Sequence, residues 1–262
     1  VPLVGDLMVS RWAFEALVVG QFMYNDYEKE FYPYEKQMAI ADYKKTYYLP
    51  TLQSKLEYCS NQEGEEEKLY NDTYTKNLDL LRREVGKEMQ RNTEIKFNAF
   101  NKLKTGYFDR ATAEQLKKYL EQSILFYTKV YNKAFDRRDS IMGQHVKTEQ
   151  DQQAFLYKRE DYQNEAIARL ATNTTVENRI IEHRGQLLQR IYPIYHDAPD
   201  LGSLLDFRTH FFAPGKPFLG KCFPTVVCNI VIIWLMSLTL YIALYFRLLR
   251  RLISGRAFQF RE

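Results

Sequence analysis

Few residues in this chain are of a type and spacing that could do chemistry, and the most suggestive of them is Gly215-Lys-Pro-Phe-Leu-Gly-Lys-Cys222. It has the outline of a phosphate-binding loop, G-x-x-x-x-G-K, but Cys222 stands where Ser or Thr is needed. A P-loop works because backbone N–H groups between a strand and a helix cradle phosphates while the hydroxyl holds magnesium. Here no strand pattern precedes the motif, Pro217 removes one N–H, and the apolar stretch that follows suits lipid rather than a nucleotide. The segment reads as a juxtamembrane loop whose lysines, Lys216 and Lys221, meet headgroups. The histidines, His145, His183, His196 and His210, show no helical metal spacing such as H-E-x-x-H and read as surface or capping residues. No G-x-S-x-G elbow is present, and Cys59 sits in Tyr-Cys-Ser-Asn with no base close in sequence. Acidic runs such as Glu65-Glu66-Glu67 read as solvated helix faces. Asn71-Asp-Thr73 and Asn173-Thr-Thr175 match glycosylation sequons that matter only in a secretory host. No catalytic, cofactor-binding or metal-ligating residue is assigned. Cys59, Cys222 and Cys228 form no even disulfide framework, and the pairing open to them is Cys59–Cys222.

The elements around these residues are dominated by one stretch, Pro224–Phe246, which carries no charge. As a helix its 23 residues would be roughly 35 Å long, enough to cross a hydrocarbon core of about 30 Å. Twelve of them are Val, Ile, Leu or Phe, together contributing roughly −4 to −7 kcal/mol to insertion, against which Asn229 is a small opposing term. Pro224 suits the first helical turn. Asn229, Ser237 and Thr239 are the candidates for hydrogen bonds to neighbouring helices.

Charge sets the direction of that span. Arg247, Arg250, Arg251, Arg256 and Arg261 follow it with Glu262 the only acid, whereas the other flank offers Arg208, Lys216 and Lys221 beside Asp200 and Asp206. The positive-inside bias places the tail in the cytoplasm and residues 1–221 outside. The opening Val1-Pro-Leu-Val-Gly-Asp-Leu-Met has no basic n-region and is not a signal peptide, so the expectation is a C-terminal piece of a larger protein with earlier spans. The tail also explains the basic pI of 8.7. It holds five of the 37 basic and one of the 33 acidic residues, leaving 32 of each sign and no basic stripe for nucleic acid.

Elsewhere the apolar period is close to that of a helix. Leu7–Phe22 reads as a helix capped by Ser10, apolar around most of its circumference. Composition turns polar at Tyr24. Pro33 can start a second helix, with Met38, Ala41 and Tyr48 among its apolar positions, and Pro50 bends or ends it. The acids after Asn61 begin a helix carrying Leu78, Leu81, Val85 and Met89. After a loop near Thr105-Gly-Tyr-Phe-Asp, Thr112 with Gln115 fits a capping box, leading Leu116, Leu120, Ile124, Tyr127, Tyr131 and Phe135 along one face. Gly143 marks a break before a polar helix from about Glu149 to Leu170. Thr174 with Glu177 fits another capping box, starting a helix through Ile180, Leu187, Leu188 and Ile191. With no Asn-Gly or Asp-Gly dipeptide to signal a hairpin, the fold class is all-α: a bundle of long, coiled-coil-like helices plus one C-terminal transmembrane helix. The divisions are 1–22, the end of a preceding membrane or re-entrant segment; 23–192, a periplasmic helical domain; 193–221, an aromatic juxtamembrane collar; 222–248, the span; and 249–262, a basic tail.

Ser10-Arg-Trp-Ala-Phe-Glu-Ala-Leu17 followed by Gln21-Phe22 resembles the segment near the C-terminus of type-2 ABC exporter permeases of the White-like group. In that family the last extracellular loop, the final span and a short basic tail follow in this order. Leu205-Asp-Phe-Arg-Thr-His-Phe-Phe-Ala-Pro-Gly-Lys and Ile233-Trp-Leu-Met-Ser-Leu-Thr-Leu-Tyr are similar to the large ABC transporters of Bacteroidetes-type bacteria, whose final external loop is expanded. The likeness covers the two ends; residues 24–190 match by position and helical character. The resemblance implies the permease portion of an ATP-driven exporter in a bacterial inner membrane, paired as a dimer and joined to further membrane helices. ATP and Mg would belong to a nucleotide-binding domain, none of whose residues is in this chain, so no enzymatic activity is assigned to the chain itself. The reading of a different class is a membrane-anchored helical interaction or sensor protein without transport.

Overall fold

The computed structural model describes residues 3–62, 72–197 and 209–247. The chain divides into two compact units, Asp26–His196 and the pair of segments Val1–Asn25 and Asp197–Glu262. The smaller unit begins with α1 (Leu3–Asp6) and α2 (Val9–Met23). Ser10 is inside the first turn of α2; the N-cap is Met8, with no side-chain capping bond. Trp12, Glu15, Ala16, Val19 and Phe22 are buried, whereas Phe14 and Leu17 are exposed. This unit resumes with β3 (Gly215–Phe218), β4 (Lys221–Pro224) and the apolar helix α9 (Thr225–Tyr245), which packs on α2.

The larger unit is helical: α3 (Glu28–Tyr43), α4 (Leu49–Ser60), α5 (Asp72–Arg91), α6 (Arg110–His145), α7 (Glu149–Tyr162) and α8 (Glu165–Thr172). Its core joins Leu49, Leu52 and Leu56 of α4 to Leu78, Leu81 and Val85 of α5 and Leu116 and Leu120 of α6. Those three- and four-residue spacings put each set on one face, as the sequence predicts for α5 and α6. The expected stripe on α6 ends early, because Phe135 is exposed and Ala134 is buried instead.

Two prolines lie within helical stretches. Pro33 lies inside α3 rather than starting it. Pro50 does not end the helix, which runs on to Ser60. The residues before it, Lys44–Tyr48, form a π turn in which the Leu49 N–H reaches the Lys44 carbonyl, five residues back. A proline has no N–H for the i−4 carbonyl, and the wider turn accommodates that loss while the helix continues. Helix α6 is capped three residues before the predicted box, by Asp109 accepting from the Thr112 N–H. Gly143 does not break α6, which runs to His145, and the polar helix after it stops at Tyr162 before α8 restarts at the Asn164 cap.

The chain is helical in class, with two hairpins among the described residues that its apolar period does not announce. The helix predicted from Thr174 is instead β1 (Ile180–His183) paired antiparallel with β2 (Gln186–Gln189). The predicted collar contains β3, and β4 takes its last residue, Lys221, and the first three residues of the predicted span, with Gly215 opposite Pro224 and Phe218 opposite Lys221. Both turns are two residues long, Arg184-Gly185 at φ 52° and 68° and Leu219-Gly220 at φ 51° and 74°. Two consecutive positive φ values match the right-handed twist of flanking strands. Among the described residues one helix, α9, is long and apolar enough to cross a membrane, with 21 residues, a mean hydropathy of 2.3 and 6% of its most apolar window buried.

Candidate functional site

Where α9 begins, polar groups interrupt two otherwise apolar helices, and they meet. Glu15 of α2 is 1% exposed, and its carboxylate accepts from Lys216 Nζ at 2.6 Å, from Asn229 Nδ2 at 2.9 Å and from the Phe212 N–H at 3.3 Å. Asn229 Nδ2 also donates to the Trp12 carbonyl at 3.0 Å, and Lys216 Nζ lies 4.5 Å from the centre of the Trp12 ring. Thr225, the first residue of α9, donates from its hydroxyl to the Ala213 carbonyl at 2.6 Å. Asn229 Oδ1 is buried without a donor among the described residues.

Three elements position this cluster. The period of α2 turns Trp12, Glu15, Ala16 and Val19 to one side; β3 delivers Lys216; and Asn229 lies one turn into α9. An isolated carboxylate in apolar surroundings is strongly disfavoured, and one that meets an ammonium and two N–H donors is not. The arrangement is a saturated acceptor, suited to holding α2, the β3–β4 hairpin and α9 together and unsuited to acting as a nucleophile or free acid.

The P-loop lookalike accordingly resolves into this hairpin, and Lys216 is a buried ion-pair partner instead of a headgroup lysine, while Lys221 is exposed. Of the three polar residues singled out on the span, Asn229 bonds to another helix. Ser237 and Thr239 return their hydroxyls to the carbonyls of Ile233 and Leu235 in their own helix. Sequence reasoning does not single out Glu15 and Lys216 as site residues. The signal that could find them is that Asn229 and Glu15 each interrupt an apolar helix of the same small unit, so each needs a partner.

The helical unit has its own buried polar network beside the π turn. Lys44 and Glu88 pair at 2.6 Å, both out of solvent, and the Tyr127 hydroxyl donates to the other Glu88 oxygen. Tyr48 Oη donates to Glu84 Oε2 at 3.1 Å, and Lys44 Nζ sits 3.6 Å from the Tyr48 ring centre. Burial pushes the Tyr48 and Tyr127 phenols upward and the Lys44 ammonium downward, the latter opposed by Glu88. Acidic residues are thus not all solvated faces: Glu15, Glu28, Glu84 and Glu88 are buried.

A cleft of about 600 Å³ opens between α4 and the start of α6, lined by Gln53, Cys59, Asp109, Arg110 and Lys117 among others. Burial pushes the Cys59 thiol up to about 11, which makes it a poor nucleophile. Cys59 is buried inside the helical unit, and it, Cys222 and Cys228 are all free thiols, so the Cys59–Cys222 bridge is not formed. His145 bonds to both Glu30 oxygens at 2.9 and 3.0 Å. No group of three or more His, Cys, Asp or Glu among the described residues could hold a metal ion. Asn173 ends α8 in the left-handed conformation, its carboxamide donating to the Arg190 carbonyl. The Glu65–Glu67 acids, Asn71 of the other sequon, Arg208 with Asp200 and Asp206, Pro199 and Phe207 of the collar, and the arginines beyond Arg247 lie outside the described residues.

No family model, no curated protein and no solved structure matches the chain.

Proposed function

We propose that this chain is the membrane-permease portion of an ATP-driven exporter, with α9 crossing the bilayer, the arginine-rich tail in the cytoplasm and the helical unit on the opposite, periplasmic side. The observation that carries the reading is one of chain order. The chain leaves the small unit after α2 at Asn25 and re-enters it at Asp197, so the whole helical unit is an insertion between two helices that dock on each other. That is the arrangement expected of a final external loop enlarged into a domain, followed by a last span. The buried Glu15–Lys216–Asn229 cluster supports it, since a docked pair needs a specific lock where lipid supplies no hydrophobic drive between helices. In this reading the helical unit caps or gates the exit path, and α9, whose outward face is exposed along most of its length, packs against lipid and other membrane helices of a paired permease.

ATP and Mg would be held by a nucleotide-binding domain outside these residues. The test is to purify the intact gene product from its native membrane and assay ATP hydrolysis with vanadate as inhibitor. A vanadate-sensitive ATPase, on the same polypeptide or firmly associated, is expected. A preparation with no ATP-hydrolysing component overturns the exporter reading and favours a membrane-anchored interaction protein. In parallel, Glu121→Cys, on an exposed position of α6, should react with an impermeant maleimide in intact spheroplasts after Cys222 and Cys228 are replaced. Labelling only after lysis would put the helical unit in the cytoplasm and end the proposed orientation.

A further inference from the structure

Gly215–Cys222, with the outline of a phosphate-binding loop, folds into most of the β3–β4 hairpin, and the tip of that hairpin has no part in the α2–α9 lock. Cross-strand partners in an antiparallel pair share a face, and so do alternate residues along each strand. The register therefore puts Lys216, Phe223, Phe218 and Lys221 on one face. That face is anchored at its base, where Lys216 reaches Glu15 of α2 at 2.6 Å and lies beside the Trp12 ring. Towards the tip it emerges from the protein. Phe223 is 40% exposed, Phe218 is 48% exposed, and Leu219 in the turn is 58% exposed. Lys221, also exposed, is directly across from Phe218. Leu219 stands at φ 51° in the first turn position, where Asn, Asp or Gly fits and a leucine is strained. The turn does not call for a leucine, and a residue so exposed fills no core.

The partners of the hairpin set its depth. The 21 residues of α9 make a helix of about 31 Å against a hydrocarbon core of about 30 Å, so its first turn falls at one edge of that core. Glu15 binds both Lys216 and Asn229, one turn into α9. Just ahead of β3, the Ala213 and Pro214 carbonyls accept from the Thr225 hydroxyl and N–H. The hairpin is thus tied to the first turns of α9, at the level where acyl chains give way to headgroups. We propose that its tip is a membrane-interface anchor, with Phe218, Leu219 and Phe223 entering the edge of the acyl region and Lys221 staying with the lipid phosphates. The leaflet is the one in which α9 begins. Lipid is the occupant because the tip carries the same uncharged, apolar exposure as the first turns of α9, where Val227, Ile230 and Val231 are half exposed. A lysine next to such a surface suits lipid as well, its stem lying along apolar groups and its ammonium reaching anionic headgroups. Anchored there, the hairpin keeps the Glu15–Lys216 pair at the boundary and out of the hydrocarbon, where charge is costly. The inference rests on α9 crossing a bilayer, and on neither ATP-driven transport nor the side that the helical unit faces.

The test uses the full chain in lipid vesicles, with Cys222→Ser and Cys228→Ser and the buried Cys59 left in place. A nitroxide is attached at Leu219→Cys. Its contact with oxygen, which concentrates among acyl chains, is compared with its contact with a water-soluble nickel chelate. Labels at Leu238→Cys, exposed on α9, and at Glu121→Cys, exposed on α6, calibrate lipid and water. The tip label is expected to meet oxygen several-fold more than the chelate, at a depth between those of the other two. A tip label exposed to water while the α9 label meets lipid overturns the anchor and leaves the span standing. A tip label shielded from both agents while the α9 label meets lipid means that protein covers the tip, and overturns the anchor too. An α9 label exposed to water overturns the span itself, and the anchor with it. In vesicles containing phosphatidylglycerol, Lys221→Glu should draw the tip label towards water, and the absence of that shift overturns the headgroup contact.

Discussion

Glu15 shows how much one buried charge can commit. Two of its three donors, Phe212 and Lys216, come from the stretch entering β3 and the third, Asn229, from α9, so removing it leaves Lys216 unpaired beside Trp12. Breaking one side of such a pair costs about 3–5 kcal/mol, whereas replacing both sides with apolar residues of similar size can be close to neutral. We therefore expect Glu15→Ala to loosen the α2–α9 docking by about 3 kcal/mol and Glu15→Leu with Lys216→Met to cost markedly less. The readout is denaturant unfolding followed by Trp12 fluorescence in a Trp234→Phe background. A double variant as unstable as Glu15→Ala would mean that packing, not the unpaired charge, sets the cost. Asp109 makes a contrasting case on the surface of the helical unit. Its carboxyl is held down at about 2, first by the Thr112 hydrogen bonds and then by Lys102. A lowered carboxyl contributes stability present above its ordinary value and lost as pH falls through the folded one. Acid unfolding between about pH 4 and pH 2 should therefore flatten in Asp109→Asn, which still caps α6 without titrating. An unchanged acid limb would show that the cap is not charge-assisted. Neither side chain stands out in the sequence. Burial of Glu15, Glu84 and Glu88 is a tertiary fact, and a helical period says which face a residue occupies without saying what covers it.

Elements are legible in the sequence wherever a long period can be counted. The faces of α5 and α6 follow from Leu78, Leu81 and Val85 and from Leu116 and Leu120, because apolar residues spaced by three and four line up on a helix and scatter over both faces of a strand. The span is legible by length and composition alone. The hairpins are not. Strands of four residues are too short for alternation to separate them from a helix segment, and Ile180, Leu187, Leu188 and Ile191 fit either period. The turns are hidden too, since Arg184-Gly185 and Leu219-Gly220 use Gly in the second position but place Arg or Leu, rather than Asn or Asp, in the first. That choice carries a testable cost. A residue other than Gly, Asn or Asp in the left-handed region is unfavourable by about 1–2 kcal/mol. Arg184→Asn should therefore stabilise the helical unit by several tenths of a kcal/mol, whereas Gly185→Ala should destabilise it by about 1 kcal/mol. The second change also sets a methyl group 3.3 Å from Arg83 Nη1, which donates to the carbonyls of Arg184 and Gly185. Urea unfolding by circular dichroism measures both. Equal effects from the two substitutions would mean that the turn conformation is not what the protein has to maintain.

At the scale of the whole molecule, the chain has two kinds of stabilisation that do not share residues. The helical unit has a continuous apolar core from Ala41 to Ile191, its own buried Lys44–Glu88–Tyr127 network and a neck fastened by Glu35, Tyr195 and Tyr32. The small unit relies on one docked helix pair and one polar lock. Because the helical unit is an insertion whose two ends are held to each other, cutting the chain at both crossings removes no core contact within it. We expect residues 26–196, expressed alone, to be soluble without detergent, strongly helical and cooperative in thermal unfolding. Glu88→Ala in that fragment should lower its stability by about 3–5 kcal/mol, since it strands Lys44 in the core. Glu15→Ala in the full chain should leave the thermal transition of the helical unit where it was, because Glu15 contributes nothing to that core. The separation fails if the fragment is unfolded in water, or if Glu15→Ala shifts both transitions together. Either result would mean that the apolar helix and the large unit fold as one cooperative body, and that the insertion is a matter of chain order alone.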